Sequence, residues 1–193
     1  MTRYVISDHH FNHEKIIEKT DRPFDNQVDM HGQMQRCWKS VVEDDDVVLY
    51  GGDFALAPRE TTIKWIERLP GSFLYLTGNH DTNLKPEKMP IPVIESTVIT
   101  HGGYEFWYTH RPQDVPSDWS GWVLHGHTHN NDPFIDYDSR HVNVSVEAVD
   151  YTPIPIPQLT KALSAMQEGD QAKTLSDSPI IHHQWYQNIN KNL

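Results

Sequence analysis

The feature that most limits how this chain can fold is a pattern that occurs three times in its first 81 residues. A short apolar run, rich in β-branched and aromatic residues, is followed each time by a polar turn. The runs span residues 3–7, 47–50 and 72–76, and the turns that follow them read DHH, GGD and GNHD. Such runs are typical of buried strands. The pattern therefore predicts three strands that each end in potential ligands.

Helical spacing separates these strands, and the second half of the chain is richer in strands. The predicted helices span residues 13–20, 28–42, 58–69 and 157–165. In the helix at 28–42, the apolar residues include Val28, Met34 and Trp38. The later runs PVIESTVITH, GYEFWYTHRP, GWVLHGHTH and HVNVSVEAV are strand-like and are joined by turns. We interpret them as a second, more antiparallel sheet, which makes the fold class α/β.

The length and net charge of the chain limit which classes of function it can have. The 193 residues, 37% of them hydrophobic, predict one domain at 1–166 followed by a polar tail at 167–193. No apolar run reaches the roughly 18 residues that cross a membrane, and the first ten residues lack the apolar core of a signal peptide. We therefore expect a cytoplasmic protein with no membrane partner. The net charge of -11, without a Lys- or Arg-rich segment, argues against long nucleic acid as a partner.

Most of the 13 histidines fall in short polar motifs at or near predicted strand ends. The motifs are DHH at 8–10, FNH at 11–13, GGD at 51–53, GNHD at 78–81, YTH at 108–110 and HGHTH at 125–129. Ligands bind beyond the carboxyl ends of strands in α/β sheets, so these motifs predict one converging site. Carboxylate, amide oxygen and imidazole suit Mn, Fe, Zn, Ni or similar divalent cations. The single cysteine argues against a thiolate zinc site.

The order of these motifs resembles that of the calcineurin-like metallophosphoesterase superfamily. Within it, the chain is most similar to the small stand-alone phosphoesterases of prokaryotes and their viruses. The likeness lies in SDHHFNHEKII, DRPF, YGGDFAL, LTGNHD, WYTHRP, LHGHTHN and VNVSVEAVDYTPIPI. The resemblance implies two facing mixed β-sheets flanked by helices, a four-layer sandwich with the site at the strand ends.

The resemblance also implies two divalent metal ions and the residues that hold them. The first ion would be held by Asp8, His10, Asp53 and His129. The second would be held by Asp53, Asn79, His110 and His127, with Asp53 bridging the two. The implied reaction is hydrolysis of a phosphodiester or phosphomonoester by in-line attack of a metal-bridging hydroxide. The implied catalytic residues are Asp53 and His80, of which His80 would protonate the leaving oxygen.

One position departs from the superfamily pattern. Many members read G-D-x-x-D, and the second Asp of that motif orients the catalytic histidine. Leu56 stands at this position here. Either another group, such as Asp81 or Asp114, holds His80, or His80 is a weaker acid that favours good leaving groups.

Four further residues are candidates for contacts with a substrate. Asn12 and His13 follow the first motif and could touch its phosphate, although Asn12 could equally cap a helix. Arg22 and Arg111 could bind a substrate oxygen through their guanidinium groups. Arg111 directly follows a predicted ligand, whereas Arg22 could equally form a surface salt bridge.

Two alternative functions remain beside the phosphoesterase. The first is a binding scaffold of the same fold with weak or no catalysis, although all seven implied ligands and His80 are present. The second is a nuclease that acts on short nucleic acids. The expected partner is a phosphorylated small molecule or a nucleotide, since a metal pair recognises a phosphoryl group.

Overall fold

Two mixed sheets of five strands each form the centre of the molecule, in a computed structural model that describes residues 1–167. The strands of the first sheet are β1 (Arg3–Ile6), β2 (Val47–Tyr50), β3 (Ser72–Leu76), β4 (Val93–Ile94) and β10 (Ile154–Pro155). Their order is β10-β1-β2-β3-β4, in which β1 to β4 are parallel and β10 is antiparallel. The predicted alternation of strand and helix thus gives a largely parallel sheet.

The second sheet is mixed as well. Its strands are β5 (Ser96–His101), β6 (Tyr104–Thr109), β7 (Trp122–His125), β8 (Ile135–Asp136) and β9 (His141–Asn143). Their order is β5-β6-β7-β9-β8. The outer pairs β5–β6 and β8–β9 are antiparallel, but the inner pairs β6–β7 and β7–β9 are parallel. Two of the four strand pairs are antiparallel, against one of four in the first sheet, so the second sheet is the more antiparallel of the two, as predicted. Together the two sheets and the helices beside them confirm the predicted fold class.

Four helices accompany the sheets, and three short 3-10 turns lie in the connections of the described part. The helices are α1 (Ile16–Lys19), α2 (Gln27–Lys39), α3 (Arg59–Ile66) and α4 (Ile156–Gln167). The first is much shorter than the predicted 13–20. It ends before Asp21, which has a left-handed φ of 51°, and Pro23, which cannot donate a backbone hydrogen bond. No helix among residues 1–167 has both the length and the apolar character needed to cross a membrane.

One predicted core residue of α2 lies outside the core. Val28 is 80% exposed. Asn26 caps the helix through hydrogen bonds from the backbone of Val28 and Asp29, which places Val28 in the first turn. The buried stripe consists of Met30, Met34 and Trp38 at four-residue spacing.

The two sheets meet at Ser7, immediately after β1. Its backbone donates to the carbonyl of Val144 at 2.9 Å and accepts from Val146 at 3.1 Å. The end of a first-sheet strand is thereby tied to the segment that follows β9 of the second sheet. From residue 168 onward, the predicted polar tail at 167–193 lies outside the described residues.

Candidate metal centre

Both sheets deliver polar side chains to this junction. Asp8, Asp53 and Asn79 follow β1, β2 and β3 of the first sheet. His110 and His127 follow β6 and β7 of the second sheet. Because these strands are parallel within each sheet, their carboxyl ends lie at the same edge. The predicted ligands therefore come together from five separate sequence motifs into one place.

Five of the seven predicted ligands have a left-handed backbone, which is uncommon for residues with a side chain. They are Asp8 (φ 63°), His10 (φ 52°), Asp53 (φ 57°), His127 (φ 68°) and His129 (φ 52°). Such conformations persist only where the surroundings hold them, and they concentrate at functional sites. The backbone of Asp8 donates to Gly52 O at 3.0 Å, and that of His10 donates to Asp53 O at 3.1 Å. These bonds hold the loops after β1 and β2 against each other.

Glycines allow the ligand loops to approach closely. Gly52 has a φ of 95°, and a Cβ there would lie 2.6 Å from the backbone nitrogen of Gly78. A Cβ on Gly78 would overlap the carboxylate of Asp53, and one on Gly126 would overlap that of Asp8. Gly52 is therefore required by the close approach of two loops, and Gly78 and Gly126 are required by the space around the two carboxylates.

Asp53 lies between two histidines that come from different sheets. Its Oδ2 is 3.6 Å from Nε2 of His10 and 3.4 Å from Nε2 of His110. The same His110 nitrogen is 3.1 Å from Oδ1 of Asn79. One carboxylate oxygen thus faces both of the ligand sets predicted from the sequence.

Asp8 closes the other side of the cluster. Its Oδ1 is 3.9 Å from Nε2 of His10 and 3.9 Å from Nε2 of His129. The groups Asp8–His10–His129 and Asp8–Asp53–His110 each bring their ligand atoms within 4.8 Å of one another. The ring of His127 lies 5.2 Å from that of His110, centroid to centroid.

Two buried polar atoms in this cluster lack a hydrogen-bond partner among residues 1–167. They are Oδ1 of Asp8 and Nε2 of His10. An unsatisfied buried polar atom is costly, and these two point at one another across 3.9 Å. Both are ligand atoms that a divalent cation accepts. The residues present therefore fit a metal ion.

Burial and mutual charge shift the pKa values of the cluster. Burial raises the pKa of Asp53, but hydrogen bonding and charge from His110, together with the charge of His10, outweigh it and bring the pKa to about 2. Burial lowers the pKa of His110, yet Asp53 and Asp8 raise it to about 9. The two carboxylates therefore stabilise positive charge placed beside them.

Three of the ligand histidines direct Nε2 into the cluster because Nδ1 is occupied. Nδ1 of His110 lies 2.8 Å from the carbonyl oxygen of Gly51. Nδ1 of His129 lies 3.0 and 3.1 Å from the two oxygens of Glu147. Nδ1 of His10 lies 3.2 Å from Nδ1 of His13. A partner at one ring nitrogen fixes the tautomer and orients the other nitrogen toward a metal.

His80 lies at the rim of the cluster. Its side chain is 38% exposed, and its Nε2 is 4.0 Å from Oδ2 of Asp53. Its backbone nitrogen donates to Oδ1 of Asp53 at 2.8 Å, and its ring lies 5.2 Å from that of His10. The ring is thus held beside the cluster through Asp53 and by packing.

Neither acidic residue considered as a partner for His80 forms a described hydrogen bond with its ring. Asp81 is buried, and its Oδ2 accepts from the backbone nitrogens of Asp53 at 2.7 Å and Gly78 at 2.8 Å. Burial, followed by the charge of Asp53, raises the pKa of Asp81 to about 6. Leu56, at the position of the superfamily aspartate, is 45% exposed. Asp81 therefore holds the two loops rather than the His80 ring.

The four candidates for substrate contacts lie in different surroundings. Asn12 is exposed, and its Oδ1 accepts from Nε1 of Trp65 at 2.7 Å. It does not cap α1, which begins after Lys15 without a side-chain cap. His13 is half-buried and contacts His10. Arg22 is buried, with its guanidinium bonded to Glu147 at 2.7 Å. It therefore lies beneath the cluster, and the surface salt bridge considered for it is wrong.

Arg111 lines a cleft of about 370 Å³ that begins at Asn79 and His110. The side chain is half-buried, and no hydrogen bond or ion pair of its guanidinium occurs in the described part of the chain. The remaining wall consists of Thr77, Gly78, Glu95, Ser96, Thr109 and Asp114. An unpaired cation beside the cluster can bind an anionic group that enters the cleft.

Sequence reasoning missed several residues that support the ligands. Oδ2 of Asp8 accepts from Ser7 Oγ at 2.5 Å and from Ser145 Oγ at 3.1 Å. Glu147 supports His129, and it is 5% exposed at the side chain. Glu147 carried a signal, because an acidic residue inside the apolar run VNVSVEAV is rarely buried without a partner.

Known proteins resemble this chain in sequence and in structure. The uncharacterized protein MJ1445 of Methanocaldococcus jannaschii is 34% identical over 181 residues, which cover 90% of this chain and 96% of that protein. A protein of unknown function from Aquifex aeolicus, AQ665, shares 21% identity and a TM-score of 0.63 over 83% of this chain and 98% of its own. The E. coli phosphoesterase Yfce shares 17% identity and a TM-score of 0.43 over 80% of this chain and 82% of its own. No family model matches the chain.

Proposed function

We propose that this chain, which belongs to the family of MJ1445, is a calcineurin-like metallophosphoesterase that hydrolyses a phosphate ester with the help of two divalent cations. The observation that carries the proposal is the position of Asp53. Its Oδ2 lies 3.6 Å from His10 Nε2 and 3.4 Å from His110 Nε2. A carboxylate between two sets of ligands is what a pair of cations requires as a bridge.

Seven residues would hold the two cations. Asp8, His10, Asp53 and His129 would hold one, and Asp53, Asn79, His110 and His127 would hold the other. Nitrogen and oxygen donors without thiolate accept Mn, Fe, Zn or Ni, and availability selects among them. When bound, such a pair polarises the phosphoryl group, activates water and stabilises the leaving oxygen.

The chain's own residues supply the remaining functions. His80 is partly exposed at the rim, with its Nε2 4.0 Å from Oδ2 of Asp53, so its imidazole can give a proton to the leaving oxygen. Arg111 can bind a phosphoryl oxygen at the mouth of the cleft. His13 stands beside both His10 and His80, with ring centroids 5.2 and 5.9 Å away. It can fix His10 and contact the substrate phosphate from the same position.

The test is hydrolysis of a chromogenic phosphodiester and a phosphomonoester by metal-stripped protein refilled with Mn, Fe, Zn, Ni or Mg. The key variant is Asp53→Asn, which keeps the side-chain volume but removes the bridging charge. Its matched control is Asp44→Asn, an exposed substitution at the opposite end of β2.

We expect metal-dependent turnover by the native protein and by Asp44→Asn, and a loss of at least about 100-fold in Asp53→Asn. The preferred ester would separate a diesterase from a monoesterase. If Asp53→Asn turned over substrate as the native protein does, the proposal would fail. Two bound cations without turnover of any ester would instead favour a binding scaffold.

A further inference from the structure

A buried ion pair lies directly beneath the metal centre and is not part of the ligand set. Arg22 follows α1, and Glu147 follows β9, so the two are 125 residues apart in the chain. Nε and Nη2 of Arg22 lie 2.8 and 2.7 Å from Oε1 of Glu147. Their side chains are 0% and 5% exposed. Both N–H groups donate to the same carboxylate oxygen, and hydrogen bonds between two charged groups are stronger than those between neutral ones.

Each member of the pair also holds a different part of the centre. The two oxygens of Glu147 lie 3.0 and 3.1 Å from Nδ1 of His129. The carboxylate accepts a hydrogen bond from the Nδ1–H group of His129. The unprotonated Nε2 then lies 3.9 Å from Oδ1 of Asp8 and can donate its lone pair to a metal ion. Without this acceptor, the ring could adopt the other tautomer or rotate away.

The guanidinium of Arg22 uses its remaining donors on the backbone of the first ligand loop. Nη2 donates to the carbonyl oxygen of Asp8 at 2.8 Å, and Nη1 donates to that of His9 at 2.8 Å. Asp8 has a φ of 63° and His10 has a φ of 52°, so this loop needs such support to keep its conformation. The contacts of Arg22 therefore do more than stabilise a buried charge, because they also hold the first ligand loop in place.

We propose that Arg22 and Glu147 form a buried clamp that positions Asp8 and His129 for a shared cation, an inference that rests on the proposed metal site. Glu147 fixes the imidazole of His129, and Arg22 fixes both Glu147 and the backbone of Asp8. The two ligands come from different sheets, and the clamp sets their separation. It is a positioning device, since neither residue contacts the reacting atoms.

The experiment measures Mn²⁺ binding to metal-stripped protein by calorimetry, with thermal unfolding of the same metal-free samples as a second readout. The variants are Glu147→Gln, His129→Ala and the combination of both, which make a double-mutant cycle. Glu105→Gln, an exposed change on β6, is the matched control. We expect Glu147→Gln to weaken one of two Mn²⁺ binding events by about 10- to 100-fold.

The cycle separates positioning from general destabilisation. If Glu147 acts through His129, adding Glu147→Gln to His129→Ala changes Mn²⁺ affinity by no more than about twofold. An equal loss in both backgrounds, or native affinity in Glu147→Gln, would overturn the clamp. If the native protein bound no Mn²⁺, the titrations would be repeated with Zn²⁺ and Ni²⁺, and a native protein that binds none of the three would overturn the proposed function, and this inference with it.

Two further variants keep the test decisive if Glu147→Gln does not fold because Arg22 is left unpaired. The pair Arg22→Met with Glu147→Gln removes both charges, and we expect it to fold and to show the same loss of Mn²⁺ affinity. Arg22→Lys keeps the charge but cannot donate to Glu147, Asp8 and His9 with the same planar set of N–H groups, so weaker binding is expected there too. Native affinity in the uncharged pair would refute the proposal.

Discussion

At the scale of single residues, the orientation of each histidine in the candidate metal centre depends on the hydrogen-bond partner of its Nδ1. Nδ1 of His110 has a backbone carbonyl as its partner, and Nδ1 of His129 has a carboxylate. Nδ1 of His10 has the imidazole of His13, a weaker acceptor than a carboxylate. The His80 ring has no hydrogen-bond partner among residues 1–167 and relies on its neighbours. The ligands are thus held more firmly than the proposed acid.

This difference predicts how a His80→Ala variant depends on the leaving group. An acid matters when the leaving oxygen is basic and contributes little when that oxygen departs as an anion. We expect His80→Ala to lower kcat/KM by roughly 100-fold or more for an alkyl phosphate ester. The loss should be much smaller for a nitrophenyl ester. The measurement is the slope of log kcat/KM against leaving-group pKa in both proteins.

The matched control for this prediction is His101→Ala. His101 ends β5, and its Nδ1 lies 3.0 Å from Oγ1 of Thr160. It is a partly exposed histidine outside the metal centre. An alkyl ester hydrolysed at the native rate by His80→Ala would remove the acid role.

The same scale shows where sequence reasoning reaches its limit. The convergence of Asp8, Asp53 and Asn79 could be predicted, because each lies in the turn after an apolar run and the ends of parallel strands lie at one edge of a sheet. Arg22 and Glu147 could not be paired, since 125 residues separate them and the loop after α1 has no periodicity. The role of Asp81 in holding two loops could not be predicted either. Its Oδ2 accepts from backbone nitrogens, and these are present at almost every position of any sequence.

At the scale of elements, glycines just beyond the strand ends allow neighbouring ligand loops to come into contact. Gly126 follows β7, and its backbone nitrogen donates to His110 O at 3.0 Å. A Cβ at this position would overlap Oδ2 of Asp8 and Oγ of Ser7. A glycine in a loop allows close approach of the backbone, but the sequence does not identify the carboxylate that each glycine adjoins.

Gly126→Ala should therefore act on the metal centre through the backbone. The added methyl must push Asp8 or the loop after β7 aside. We expect a loss of about 1–3 kcal/mol in the free energy of unfolding and weaker Mn²⁺ binding. Denaturant unfolding and calorimetry measure the two effects.

Gly32→Ala provides the control for an added methyl group. Gly32 lies within α2, and the nearest neighbour of its added Cβ is the flexible end of Arg36 at 3.3 Å. Alanine there should raise stability by about 0.5–1 kcal/mol without changing Mn²⁺ binding. Unchanged metal affinity in Gly126→Ala would show that the Asp8 contact does not matter.

At the scale of the whole molecule, the two sheets place the candidate metal centre beside a cleft of mixed charge. The cleft of about 370 Å³ has Arg111 next to Asn79 and His110. Glu95 and Asp114, both exposed, line the same cleft, and the chain carries a net charge of -11. Among residues 1–167, no Phe, Tyr or Trp side chain lines this cleft as a surface on which a base could stack. Arg111 can bind the phosphoryl group of an ester, and the two acidic residues favour an alcohol group that carries no negative charge.

This arrangement predicts a charge preference among esters of equal size. We expect the p-nitrophenyl phosphodiester of choline to be hydrolysed with a higher kcat/KM than that of 3,3-dimethylbutanol, its uncharged counterpart. A diester of a carboxylate-bearing alcohol should be slowest. A charge about 4 Å from an exposed carboxylate gains about 1 kcal/mol in water, so differences of severalfold are expected.

Removing both charges with Glu95→Gln and Asp114→Asn should bring the three rates together, whereas Asp44→Asn should leave their order unchanged. Equal rates for the three esters in the native protein would show that the cleft does not select the alcohol by charge.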